Sequence, residues 1–149
     1  MKIFISILVI NACCVTTFAQ DTREQTMEKR VREMHRVIGL TDKEQWRKFI
    51  QENYTEALIN KPMRASIQEG NQGGSPTETT LASNLDAKVK MFERLHDDFG
   101  GSTIKSIAPT QEGLAMTADN GDGLRGIFQF KFEKTKPYLI NGLGIQAEN

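Results

Sequence analysis

The densest group of side chains able to do chemistry is His96-Asp97-Asp98, near the end of a stretch with helical spacing. An imidazole with an unperturbed pKa of about 6.5 suits proton transfer near neutrality, and a neighbouring carboxylate can orient it. His96 and Asp97 are therefore the catalytic residues to weigh, as the base of a small lyase or isomerase of the ketosteroid-isomerase kind. Three consecutive side chains, however, fan out around a helix and cannot converge on one point. A metal centre would need His35 and His96 to meet across helices with a carboxylate such as Glu93. Two histidines, with both cysteines at the N-terminus, do not make such a set, so no metal and no cofactor is expected.

The remaining motifs resolve into local structure. Asp119-Asn120-Gly121-Asp122-Gly123 opens like a calcium loop, yet Phe130 stands where the twelfth-position acid belongs, so it reads as a hairpin turn. Gly70-Asn71-Gln72-Gly73-Gly74 lacks the Lys-Ser/Thr of a phosphate loop. Asn53-Tyr54-Thr55 is a glycosylation sequon placed inside a helical stretch. Ser66, Ser75 and Ser106 lie in no nucleophile-elbow context.

These residues must be positioned by elements that the apolar spacing predicts. Met27, Val31, Met34 and Ile38 form one stripe of a helix over 22–38, stopped by Gly39. Thr41 and Glu44 form the pattern of a capping box for a second helix. Trp46, Phe49, Ile50, Ala57 and Leu58 share its face, and it should fade before Pro62. Residues 65–83, rich in Gly, Ser, Thr, Gln and Asn, read as a long loop. Leu85, Val89, Phe92, Leu95 and Phe99 define a third helix, ended by Gly100-Gly101. The period then falls to two. Strands are expected at 102–108, through Leu114-Met116-Ala118, over 124–133 with Phe128, Phe130 and Phe132 on one face, and over 138–146. The alternation in the last slips at Gly142-Leu143-Gly144, as a bulge would cause. Three helices followed by a four-strand antiparallel meander make an α+β fold.

The N-terminus gives a compartment. Met1-Lys2, an apolar run from Ile3 to Ala12 and the small residues of Thr17-Phe18-Ala19 read as a secretory signal peptide over 1–19, cleaved after Ala19. Residues 20–149 are then one secreted or periplasmic domain. Ile10-Asn11-Ala12-Cys13 offers the rival reading of a lipobox, with Cys13 lipidated. The run is too short to span a bilayer. The whole chain has 149 residues, with 19 basic against 19 acidic side chains. That balance argues against nucleic acid or a polybasic membrane contact.

Phe92-Glu93-Arg94-Leu95-His96-Asp97-Asp98-Phe99-Gly100-Gly101, the strand 124–132 and Pro137-Tyr138-Leu139-Ile140-Asn141-Gly142-Leu143-Gly144-Ile145 carry a family likeness. Over about residues 24 to 147 the chain resembles the NTF2-like cone-shaped α+β domain. More narrowly, it is similar to the version found ahead of serine-hydrolase domains in secreted bacterial proteins. The segment 65–83 looks like an insertion relative to that pattern. The resemblance implies three N-terminal helices packed on a curved sheet of about four strands, with a pocket between them. It also implies a choice among binding a ligand, pairing through the open sheet face, and isomerisation.

The expectation is a non-catalytic binding or accessory domain. A small apolar ligand would contact Trp46, Ile50, Phe92, Phe128 and Phe130, where aromatic faces of helix and sheet converge. The alternatives are the isomerase already described and a docking subunit for an exported hydrolase. A hydrolase, or a second copy forming a homodimer, would meet the sheet face through Ile127, Leu139 and Ile145.

Overall fold

The computed structural model describes residues 22–61 and 81–148. The leader 1–19, Cys13, Cys14 and most of the segment 65–83 therefore lie outside the described residues.

Helix α1 (Arg23–Ile38) begins with a capping box. The Thr22 hydroxyl accepts from the Gln25 amide at 3.3 Å, and the Gln25 side chain accepts from the Thr22 amide at 2.8 Å. Its stripe of Met27, Val31, Met34 and Ile38 is buried as the spacing requires, joined by Val37. Helix α2 (Lys43–Asn53) is capped by Asp42 rather than Thr41: the Asp42 carboxylate accepts from Glu44 and Gln45 amides at 2.9 and 3.4 Å. A carboxylate there satisfies two orphan donors and suits the positive end of the helix dipole.

The second expected helix is two helices. Tyr54 is extended, with φ −97° and ψ 148°, and the Thr55 amide donates to the Ile140 carbonyl at 2.9 Å. Capture by the sheet interrupts the helix, and the Thr55 hydroxyl then caps a short α3 (Glu56–Asn60). The described residues therefore hold four helices where three were expected. The last, α4 (Leu81–Phe99), starts four residues before its expected Leu85, so residues 81–83 are helix and not loop.

Four strands follow, β1 (Thr103–Pro109), β2 (Gly113–Asp119), β3 (Arg125–Phe132) and β4 (Ile140–Glu148), paired antiparallel in the order of the chain. The β2–β3 turn uses Gly121 and Gly123 at φ 84° and 96°, a region L-residues avoid. The β3–β4 register passes from Lys131 opposite Gly142 to Phe132 opposite Ile140. The extra residue is thus Asn141, one place ahead of the expected slip.

Directly opposed residues share a face of the sheet. Leu114, Met116 and Ala118, with Phe128, Phe130, Phe132 and Ile140, turn inward and are buried. Ile104, Ile107, Leu143 and Ile145 pack against that core from its margins. The helices cover this face, α1 on β2 and α3 on β4. The other face presents Ser106, Ala108, Ala115, Thr117, Ile127, Gln129 and Gln146. Helices on one face of an antiparallel meander make the α+β class plain. No helix among the described residues is long and apolar enough to cross a membrane.

Candidate functional site

His96 is held between two helices. Its Nδ1 lies 2.7 Å from the Ile38 carbonyl oxygen, and since a carbonyl can only accept, Nδ1 carries the proton and donates. The ring sits 5.8 Å from the Trp46 ring, centroid to centroid. The Trp46 indole N–H donates to the Val37 carbonyl at 2.7 Å. The His96 bond satisfies a carbonyl in the last turn of α1, and the Trp46 N–H shares the Val37 carbonyl with the Leu40 amide. Asp97 and Asp98 are exposed, so the structure does not gather the three side chains. Among the described residues no group of three metal-binding side chains converges.

His35 makes a pairing that the residue spacing did not announce. Its Nε2 shares a hydrogen bond with the Ser102 hydroxyl at 3.0 Å, across 67 residues of sequence. Burial holds its pKa below the usual histidine value, against the opposing pull of Ser102. Ser102 and Lys105 also have a Ser-x-x-Lys spacing, but the pair falls at and within β1. Ser102 is buried against His35, while Lys105 is the exposed residue at the break in the β1–β2 register, so the two do not form a nucleophile–base pair.

Trp46, Ile50, Phe92, Phe128 and Phe130, expected to contact a ligand, are all core residues, none more than 2% exposed. Phe92 packs on Phe49 at 5.8 Å between centroids, Phe128 edge-on to Phe99 at 5.2 Å, and Phe130 stacks with Phe132 at 6.3 Å. Tyr54 joins them fully buried. Its hydroxyl donates to the Met34 sulfur at 3.9 Å, and burial pushes the phenol far above its usual range. On the sheet, Ile145 opposes Phe128 and so lies on the core side, not on the open face where it was expected. Ile127 is left there among Thr117, Gln129 and Gln146.

Among the described residues, two neighbouring concave surfaces lie elsewhere. Where the start of α1 meets the β1–β2 turn, a groove of about 500 Å³ has Met27, Pro109 and Leu114 in its wall and Thr22, Glu24 and Thr110 at its rim. A second, of about 520 Å³, runs on toward the β3–β4 turn past Lys131, Phe132, Lys134 and Asn141. The two share Arg23, Gln111 and Glu112. Each has the size of a small-molecule site.

Their electrostatics are specific. Lys131 forms an ion pair with Glu112. The Arg23 guanidinium lies over the Tyr138 ring, 5.8 Å from its centroid, in a cation–π contact. Tyr138 itself adopts φ 56°, uncommon for an aromatic residue, and its amide donates to the Thr135 carbonyl at 2.9 Å. The same turn is anchored from behind by Arg30, which donates to the Pro137 carbonyl at 2.9 Å and to the Asn53 side chain. Burial lowers the Arg30 pKa, and its Nε has no partner among the described residues. Asn53, the sequon residue, also donates to the Phe49 carbonyl, so its amide is engaged within the fold.

These groove residues read in sequence as ordinary turn and strand polars. Their only signal was the recurrence of Lys at 131, 134 and 136; the turn at 110–113 carries Glu112 alone. Lys88 was likewise unannounced. It is buried, donates to the Lys61 carbonyl at 2.9 Å, and has its pKa lowered by burial and by the Lys61 charge. Compared with protein-family models, curated proteins and solved structures, the chain matches none.

Proposed function

We propose that this chain is a secreted or periplasmic binding domain of the NTF2-like kind that holds a small ligand and does no chemistry on it. One observation carries the reading: the paired grooves sharing Arg23, Gln111 and Glu112 are concave surfaces among the described residues, and neither histidine lines them. A binding site needs an apolar wall and a few convergent polar groups. The exposed ring of Pro109, with Met27 and Leu114 buried beneath it, supplies the first, and Arg23, Gln111 and Asn141 the second. A proton-transfer enzyme would instead need its base at the ligand. His96 spends Nδ1 on Ile38 and packs beside Trp46.

The fold supports the family reading through its order of elements, with helices before a four-strand meander and covering one face of it. The docking alternative draws less from the sheet, because its open face is polar and small apart from Ile127.

A thermal-shift screen of small molecules on the full chain tests the proposal, since a ligand of the folded state raises Tm by mass action. A stabilising compound recovered unchanged after long incubation supports binding without turnover. A compound converted by the wild-type chain but not by His96→Asn establishes the isomerase reading instead.

A further inference from the structure

We infer that the groove at the β3–β4 turn takes a small hydrophilic oxyanion, a carboxylate or a phosphate, held by Arg23 and Lys134. This rests on the binding reading and names the ligand class of that same site. The charged side chains lining this groove are Arg23, Lys131 and Lys134 against Glu112. Lys131 and Glu112 neutralise each other as an ion pair. Arg23 and Lys134 have no acidic partner among the described residues, so two cations line one hollow uncompensated. Gln111 and Asn141, both exposed, complete the polar lining, and Phe132 is buried beneath it. Charge and amide groups with no exposed apolar side chain among them favour a hydrophilic anion over an apolar or a cationic ligand.

Two locally unfavourable choices place the guanidinium there. Arg23 is the first residue of α1, where the positive end of the helix dipole disfavours a cation. Tyr138 holds φ 56°, a left-handed conformation that bulky residues rarely adopt. The two meet in the cation–π contact at 5.8 Å, which orients the guanidinium, and Arg30 holds the same turn through the Pro137 carbonyl. Departures from local preference that combine on one surface are expected where a site is built. The planar fork of Arg23 suits the paired oxygens of a carboxylate or a phosphate, and Lys134 adds a point charge from the turn that carries Tyr138. Asn141, the extra residue of the β4 bulge, adds an amide donor to the same groove.

Titration of the isotope-labelled full chain with phosphate, succinate and its neutral counterpart succinamide, followed by amide NMR at low ionic strength, tests this. Phosphate or succinate should shift Arg23, Gln111, Lys134 and Asn141 saturably, and the one that binds names the anionic group. Arg23→Gln and Lys134→Gln, both at exposed positions, should each weaken that binding by about tenfold while leaving the rest of the spectrum unchanged. Lys136→Gln, exposed on the same turn but outside the groove, should leave it intact. Equal weakening by Lys136→Gln, or shifts that never saturate, would show a general effect of surface charge and overturn the assignment. Succinamide shifting the groove as well as either anion, or in place of both, overturns the assignment and leaves the binding reading standing. A groove silent to all three probes also overturns it, and the thermal-shift screen then decides the binding reading separately.

Discussion

The Nδ1 of His96 donates to the Ile38 carbonyl oxygen at 2.7 Å, so the last turn of α4 closes the last turn of α1. That bond gives the most conspicuous ionisable side chain of the sequence a mechanical role. His96→Ala should cost about 1–3 kcal/mol, because it leaves a buried acceptor without its donor. Asp97→Asn, at an exposed position, should stay within about 0.5 kcal/mol of wild type. Urea denaturation of both variants checks this, and equal losses would refute the structural role given to His96.

Acid should weaken the fold through His35. Its folded-state pKa lies below the ordinary 6.5 because burial disfavours the charged ring. The unfolded chain therefore takes up the proton first as pH falls. This group contributes nothing to the pH dependence above about 6.5 and destabilises progressively below it. Comparing denaturation midpoints at pH 7 and pH 5 for wild type and His35→Gln isolates the effect. The wild type should lose more.

Gly126 lies under the Phe99 ring, where an added Cβ would sit 2.7 Å from two ring carbons and 2.8 Å from Phe128. Gly126→Ala should destabilise by about 1–3 kcal/mol through overpacking. Calorimetry reads it as a lowered Tm, and an unchanged Tm would show that the two rings can move apart.

Phe128→Ala and Phe92→Ala should each cost about 3–5 kcal/mol, the range for emptying an aromatic core site. Arg23→Gln, exposed at the groove, should leave stability within about 0.5 kcal/mol of wild type. The contrast separates core from ligand surface: a folded Phe128→Ala variant that loses only ligand would return the pocket to the aromatic interior.

The elements were largely legible because burial imposes a period. Met27, Val31, Met34 and Ile38 repeat at helical spacing, while Phe128, Phe130 and Phe132 repeat at two, and each set is buried where that spacing places it. The break at Tyr54 was not legible, because it depends on a bond from the Thr55 amide to the distant Ile140 carbonyl. Nor was the cap at Asp42, where two adjacent residues could each serve. The groove was the least visible part. Arg23, Gln111, Lys134 and Asn141 come from four separate places in the chain, and only the meeting of α1 with two turns of the sheet gives them a common surface.

Native mass spectrometry of the protein recovered from its own host tests the central claim most directly. The expected species is a chain beginning at Gln20 that carries one small molecule, recovered chemically intact and absent from Arg23→Gln. A complex with a hydrolase and no small molecule, or a retained compound that the chain converts, would contradict it.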